Sequence, residues 1–206
     1  EGKFIEGLEF GEMYNSETSE IYGVGPIEFI PVRLGKRARL KGENGILGDV
    51  IPWDDPRAIP PWEPGSKVTD VEDCEGVRIY DWAVLLLPSL DQIIISFKST
   101  SFSAGKSLNT ILDKYRKLAK IAGKGFRPYQ VKCSLSTFID KNDAGSFGKF
   151  KIEPAGAPTQ VEYQFADAWF QAIKDKTLVP DEDEGRGEVI EGEAVVAEKK
   201  ADKVPF

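Results

Sequence analysis

The chain has 206 residues, 41% hydrophobic and 11% aromatic, enough for one packed domain with appendages and too apolar for disorder throughout. No apolar run approaches the roughly 18–20 residues that cross a bilayer, and no signal-peptide pattern opens the chain, so a cytoplasmic protein is expected. It contains no histidine, which removes Ser-His and Cys-His nucleophiles, histidine bases and nearly all catalytic zinc sites. A non-enzymatic protein without metal or cofactor is therefore expected. Cys74 and Cys133 are too few for a disulfide framework and fit a reduced setting.

The net charge of −7 conceals a segregated field. Residues 181–206 carry nine acids and four bases, whereas 96–151 hold twelve Lys/Arg against Asp113, Asp140 and Asp143. A basic block inside an acidic chain predicts an anionic ligand.

In chain order, 27–40 ("IEFIPVRLGKRARL") reads as a long strand bent at Gly35, with Arg33, Arg37 and Arg39 on one side of the pleat. Residues 41–76 hold five prolines, Trp53, Trp62 and nine acids without usable periodicity, which predicts a long functional or mobile loop. A tryptophan there either clamps ligand or plugs the loop onto the body. "RIYDWAVLLLP" (78–88) and "DQIIISFKST" (91–100) predict a hairpin turning at Ser89-Leu90. The clearest helix is about 104–122: Ala104, Leu108, Ile111, Leu112, Tyr115, Leu118, Ala119 and Ala122 recur at helical spacing, and Gly123 stops it. Lys106, Lys114, Lys117, Lys120 and Lys124 fall on the opposite arc with almost no interleaved acids.

Residues 129–139 alternate, placing Tyr129, Val131, Cys133, Leu135 and Ile139 inward and Lys132 and Phe138 outward. After the turn "KNDAGS", Phe150 and Ile152 take one face of the next strand, and Phe147, Lys149 and Lys151 the other. A capping box, Thr159 with Glu162, opens a last helix whose buried stripe is read as Val161, Phe165, Trp169 and Ile173. Residues 1–178 thus form the folded domain, and 179–206 an acidic, flexible tail ending in Val204-Pro205-Phe206.

The order strand, long loop, strand, strand, helix, strand, strand, helix predicts a mainly β fold: an OB-fold-like, five-stranded Greek-key barrel with a helix between strands three and four and an extra C-terminal helix. Lysines mixed with aromatics on outward strand faces suit a single-strand binder, because rings stack on bases while Lys and Arg neutralise phosphates. Lys132 with Phe138, and Phe147 with Lys149 and Lys151, form that combination; Arg33, Arg37 and Arg39 extend it.

The segment "IEGLEFGEMYNSETSEIYGVGPIEFIPV" resembles the opening of a family of phage single-stranded DNA-binding proteins, through Glu6, Gly7, Gly11, Met13, Tyr14, Asn15, Ser16, Tyr22, Gly23, Pro31 and Val32. "WAVLLL", "ISFKSTSFSAGKSLNTIL" and "NDAGSFGKFKIE" resemble the same family, so that most of 4–175 is covered. The resemblance implies an OB-fold replication or recombination protein that coats single-stranded DNA without strong sequence preference, in the host cytoplasm. By position it makes Lys98 and Lys106 phosphate contacts. Where the family often has Arg-Arg-Tyr and a Trp after the first basic strand, this chain has Lys36-Arg37 followed by Ala38 and Leu40, so contacts there are expected to be ionic. An acidic tail closing on an aromatic is similar to the tails of bacterial and T7-type single-stranded DNA-binding proteins. It implies competition for the basic groove through 181–198 and partner docking through Val204, Pro205 and Phe206.

The sequence also admits two rival readings. One is an interaction or structural module whose basic block meets an acidic protein. The other is a Mg-dependent recombination nuclease built on Asp91 with Gln130 and Lys132, a three-letter pattern with a non-acidic member.

Overall fold

The computed structural model describes residues 7–16, 18–42, 47–61, 63, 65–67, 69, 73–98, 101–142 and 145–176. Trp62 and the tail from 177 onward, with Val204, Pro205 and Phe206, lie outside the described residues.

The protein is mainly β with two α-helices. β1 (Met13–Tyr14) and β2 (Ile21–Gly23) form a small hairpin. The main sheet contains β3 (Ile27–Lys41), β4 (Leu47–Ile51), β5 (Gly76–Leu86), β6 (Gln92–Phe97), β7 (Lys132–Asn142) and β8 (Gly145–Gly156). Its order is β6-β5-β3-β7-β8, with β4 also paired to β3. The run β7-β3-β5-β6 is a Greek key, the fourth long strand returning beside the first. Helix α1 (Phe102–Ile121) joins β6 to β7, and α2 (Gln160–Ile173) follows β8.

The expected barrel is corrected to an open sheet. Among the described residues no ladder joins β6 to β8. The two edges still approach, with Phe97 and Phe150 rings edge to face at 6.3 Å. The space inside is filled by α1, whose Ala104, Leu108 and Leu112 join Phe29, Trp82, Val84, Phe97, Cys133, Leu135 and Ile152 in the main core. Each such large side chain contributes about 1.5–3 kcal/mol on burial. Gly105 is what lets the first turn of α1 sit this close, since a Cβ there would lie 2.9 Å from Phe97 Cβ and 3.0 Å from Tyr80 Cδ2.

On the other face of the sheet, α2 covers Ile30, Val32, Leu85 and Tyr129. Its packed stripe is Tyr163, Ala166, Trp169, Phe170 and Ile173, while Val161 and Phe165 are exposed. This corrects the stripe read from spacing. The rotation is set by Tyr129, whose ring meets Tyr163 and Phe170 and whose hydroxyl donates to Asp167 Oδ1 at 2.5 Å. Tyr129 thereby belongs to the α2 side, not to the inward row of β7.

Three further readings change. The irregularity in β3 falls between Pro31 and Arg33, and Gly35 pairs regularly with Asp81. Leu118, read as part of the apolar arc of α1, runs past the sheet and is 62% exposed, with Ile121 close by at 84%. Ile139, expected inside, is exposed. Beside it, the Thr137 hydroxyl donates to Gly11 O and its amide donates to Val24 O, tying the N-terminal hairpin to β7. Gly25, at φ +85°, permits that approach because a Cβ would meet Leu135 O at 2.7 Å. Both cysteines are buried and neither is in a disulfide with the other.

Candidate nucleic-acid interface

The β7–β8 ladder pairs Ser136 with Lys151, Phe138 with Lys149 and Asp140 with Phe147, so these side chains share the outward face. Phe138 is 46% exposed. Lys149 Nζ stands 5.2 Å from the Phe147 ring centroid and 2.5 Å from Asp140 Oδ2. That hydrogen bond holds the Asp140 carboxyl below its ordinary range. Lys151 pairs with Glu153 at 2.9 Å. Exposed pairs of this kind contribute about 0–1 kcal/mol, so a phosphate can exchange for either carboxylate.

The β3 arginines have a different part. Arg33 donates to Ile173 O at 2.5 Å and to Lys176 O, capping the C-terminal end of α2. Arg37 and Asp81 are 6% and 0% exposed and joined at 2.5 Å, with Ser96 Oγ donating to Asp81 at 2.6 Å. Arg39 donates to Gly48 O at 2.8 Å and Leu47 O at 3.2 Å, fastening β4. All three share one side of the pleat as expected, but that side is engaged inside the fold. Lys132 likewise lies within 3.4 Å of Glu28 and 3.9 Å of Glu162. Gln130 accepts from the Arg127 amide at 2.9 Å, and Asp91 sits in the β5–β6 turn, where its carbonyl accepts from the Leu86 amide. Among the described residues no group of three His, Cys, Asp or Glu assembles to hold a metal ion.

Lys98 is exposed at the end of β6, and Lys106, on the first turns of α1, bonds Glu63 at 2.9 Å. Further along α1, Lys114, Lys117 and Lys120, with Lys124 just beyond, are exposed, and no described acid pairs with them. Asp113, the one acid of the helix, is taken by Arg116. Between α1 and the open edge of β8 runs a groove of about 830 Å³ lined by Lys106, Lys114 and Lys117, the hydroxyls of Ser107 and Thr110, and an apolar floor including Ile152 and Pro154. β8 therefore carries groove residues inward and Phe147, Lys149 and Lys151 outward. The lysine row was visible in the sequence as a face lacking acids. The groove was not, because it depends on α1 lying along an edge strand.

Residues 83–179 match the family model of the Pam3 phage gp34-like protein, which points to a phage protein. The match spans β6, α1, β7, β8 and α2, and so includes α1 and β8, the two elements that line the groove. No curated protein and no solved structure matches the chain. Among the described residues no helix is long and apolar enough to cross a membrane.

Proposed function

We propose that this is a non-enzymatic phage protein that binds single-stranded DNA with little sequence preference during replication or recombination. The observation that carries the reading is the row Lys114, Lys117, Lys120 and Lys124, unpaired among the described residues, the first two of them lining the α1–β8 groove. Unpaired lysines at helical spacing give a polyanion a line of contacts without base readout. Phe138 and Phe147, on the other side of β8, offer rings for bases that are free to stack, which favours single over double strands. The Greek-key order with a helix before the fourth long strand supports an OB-like relationship, although the sheet is open. In this account no cofactor is needed. The acidic tail regulates access to the cationic surface, and Val204-Pro205-Phe206 offers a docking tip to replication or recombination proteins.

A second reading has one observation of its own. Exposed Leu118 and Ile121 beside the lysines would suit an acidic protein segment with apolar anchors. Anisotropy titrations with labelled single- and double-stranded oligonucleotides separate the two. The first reading expects tighter binding of single strands, with log K falling by about 0.7 per phosphate contact against log salt. Equal affinity for both forms, or none at low salt, rejects it.

A further inference from the structure

The long loop after β4 returns to the body at a cluster that meets the α1–β8 groove at Lys106. Trp53, Tyr80 and Phe102 form a packed trio: Tyr80 and Phe102 are stacked at 4.7 Å and 5° between planes, and Trp53 lies 5.0 Å from Tyr80. Three cations surround it. Lys36 Nζ is 5.5 Å from the Trp53 centroid, the Arg78 guanidinium 5.0 Å from the same ring, and Lys106 Nζ 5.2 Å from Phe102. Among the described residues a single carboxylate answers them. Glu63 Oε2 takes Arg78 at 2.5 Å and Glu63 Oε1 takes Lys106 at 2.9 Å, while Lys36 has no carboxylate partner among the described residues.

Arg78 also donates to Trp53 O at 2.9 Å, so the loop backbone is fixed by a bond that does not involve Glu63. Trp53 thus acts as the plug that seats the loop. A simple tether would not need two cations on one carboxylate with a third alongside. The arrangement is that of an anion site with rings behind it, filled by an acid of the same chain. Partial burial opposes ionisation of Glu63, but its bonds to Lys106 and Arg78 outweigh this and hold its carboxyl below the ordinary range, so it is charged at neutral pH.

Resting on the single-stranded DNA reading above, we infer that Arg78 and Lys106 are a phosphate-binding point in front of the Trp53–Tyr80–Phe102 rings, and that the Glu63 side chain occupies it until a DNA phosphate takes its place. The exchange is of one side chain for one phosphate group; an occupied site and an empty one have the same fold.

The test is anisotropy of a fluorescein-labelled dT oligomer across salt, with wild type, Glu63→Gln and Asp49→Asn, each shown folded by circular dichroism. Asp49, exposed on β4, supplies the same loss of charge without these contacts. Glu63→Gln should tighten binding by about tenfold at low salt and steepen the salt slope by up to about 1.4, two cations at about 0.7 each. Lys106→Gln in that background should return most of the gain. If wild type binds and Glu63→Gln binds no tighter than Asp49→Asn, Glu63 is only a tether and the inference fails alone. If no variant binds at low salt, the functional reading fails and this inference with it.

Discussion

Arg37→Met removes the guanidinium from the middle of β3 and keeps most of the apolar stem. In the wild type Arg37 Nε is 2.5 Å from Asp81 Oδ2 and Nη2 3.4 Å from Oδ1, and the carboxylate is fully enclosed. The substitution leaves Asp81 with the Ser96 hydroxyl. Breaking a buried pair from one side costs about 3–5 kcal/mol. Domains are stable by about 5–15 kcal/mol, so this is a large share of the total. In a chain of this size each kcal/mol moves the melting temperature by about 2–4 °C, giving an expected fall of about 6–20 °C. Circular dichroism melts and urea titrations measure it. Arg37→Met with Asp81→Leu removes both charges and should recover most of the loss. Well below the melt, affinity for DNA should equal that of wild type. A loss below about 1 kcal/mol would mean that the pair behaves as an exposed one. Normal melting with weakened binding would instead return Arg37 to the ligand surface, where its sequence position first suggested it.

Phe147→Ala and Lys149→Ala should each weaken binding to all single-stranded sequences, Phe147→Ala by about 1–3 kcal/mol if its ring stacks on a base; unchanged affinity in both moves the interface off this face. Deleting 181–206 should tighten binding at low salt and deleting only 204–206 should not, and an unaltered affinity in the longer deletion would make the tail a solubility appendage. Burial pushes the Cys133 thiol up to about 12 from 9.0, so native protein should resist maleimide at pH 8 and react once unfolded. The sign follows from linkage: an unfolded chain releases this proton near 9.0 and the folded one does not, so the stability is intact below 9.0 and is lost as pH rises toward about 12. Tyr80 and Tyr129, both raised chiefly by burial, act in the same direction. Melting temperatures that rose from pH 8 to 11 would contradict this.

The strand and helix order was legible because each long element has one clean period, 2 for β7 and β8 and 3.6 for α1. α2 was legible as a helix but not in its rotation, since Val161, Phe165, Trp169 and Ile173 and the alternative Tyr163, Ala166 and Phe170 both recur at helical spacing. Only the Tyr129 ring, far away in sequence, decides between them. The arginines of β3 show the same limit. Alternation places Arg33, Arg37 and Arg39 on one side, yet what meets that side is the end of α2, Asp81 and β4. β4 itself is five residues inside an acidic, proline-rich stretch, too short and too polar to show a pattern. The α1 lysines were legible for a physical reason: helix faces that serve only solvation usually mix both signs, and this one does not.

In the proposed binding mode, DNA runs along the α1 lysines beside β8. Salt dependence of single-strand binding, compared between wild type and Lys114→Ala with Lys117→Ala, addresses it without assuming a particular base contact. The double variant should bind more weakly at every salt concentration, with a slope shallower by about 1.4, two contacts at about 0.7 each, and an unchanged melting temperature. An identical slope in wild type and variant would contradict the account and place the interface elsewhere on the molecule.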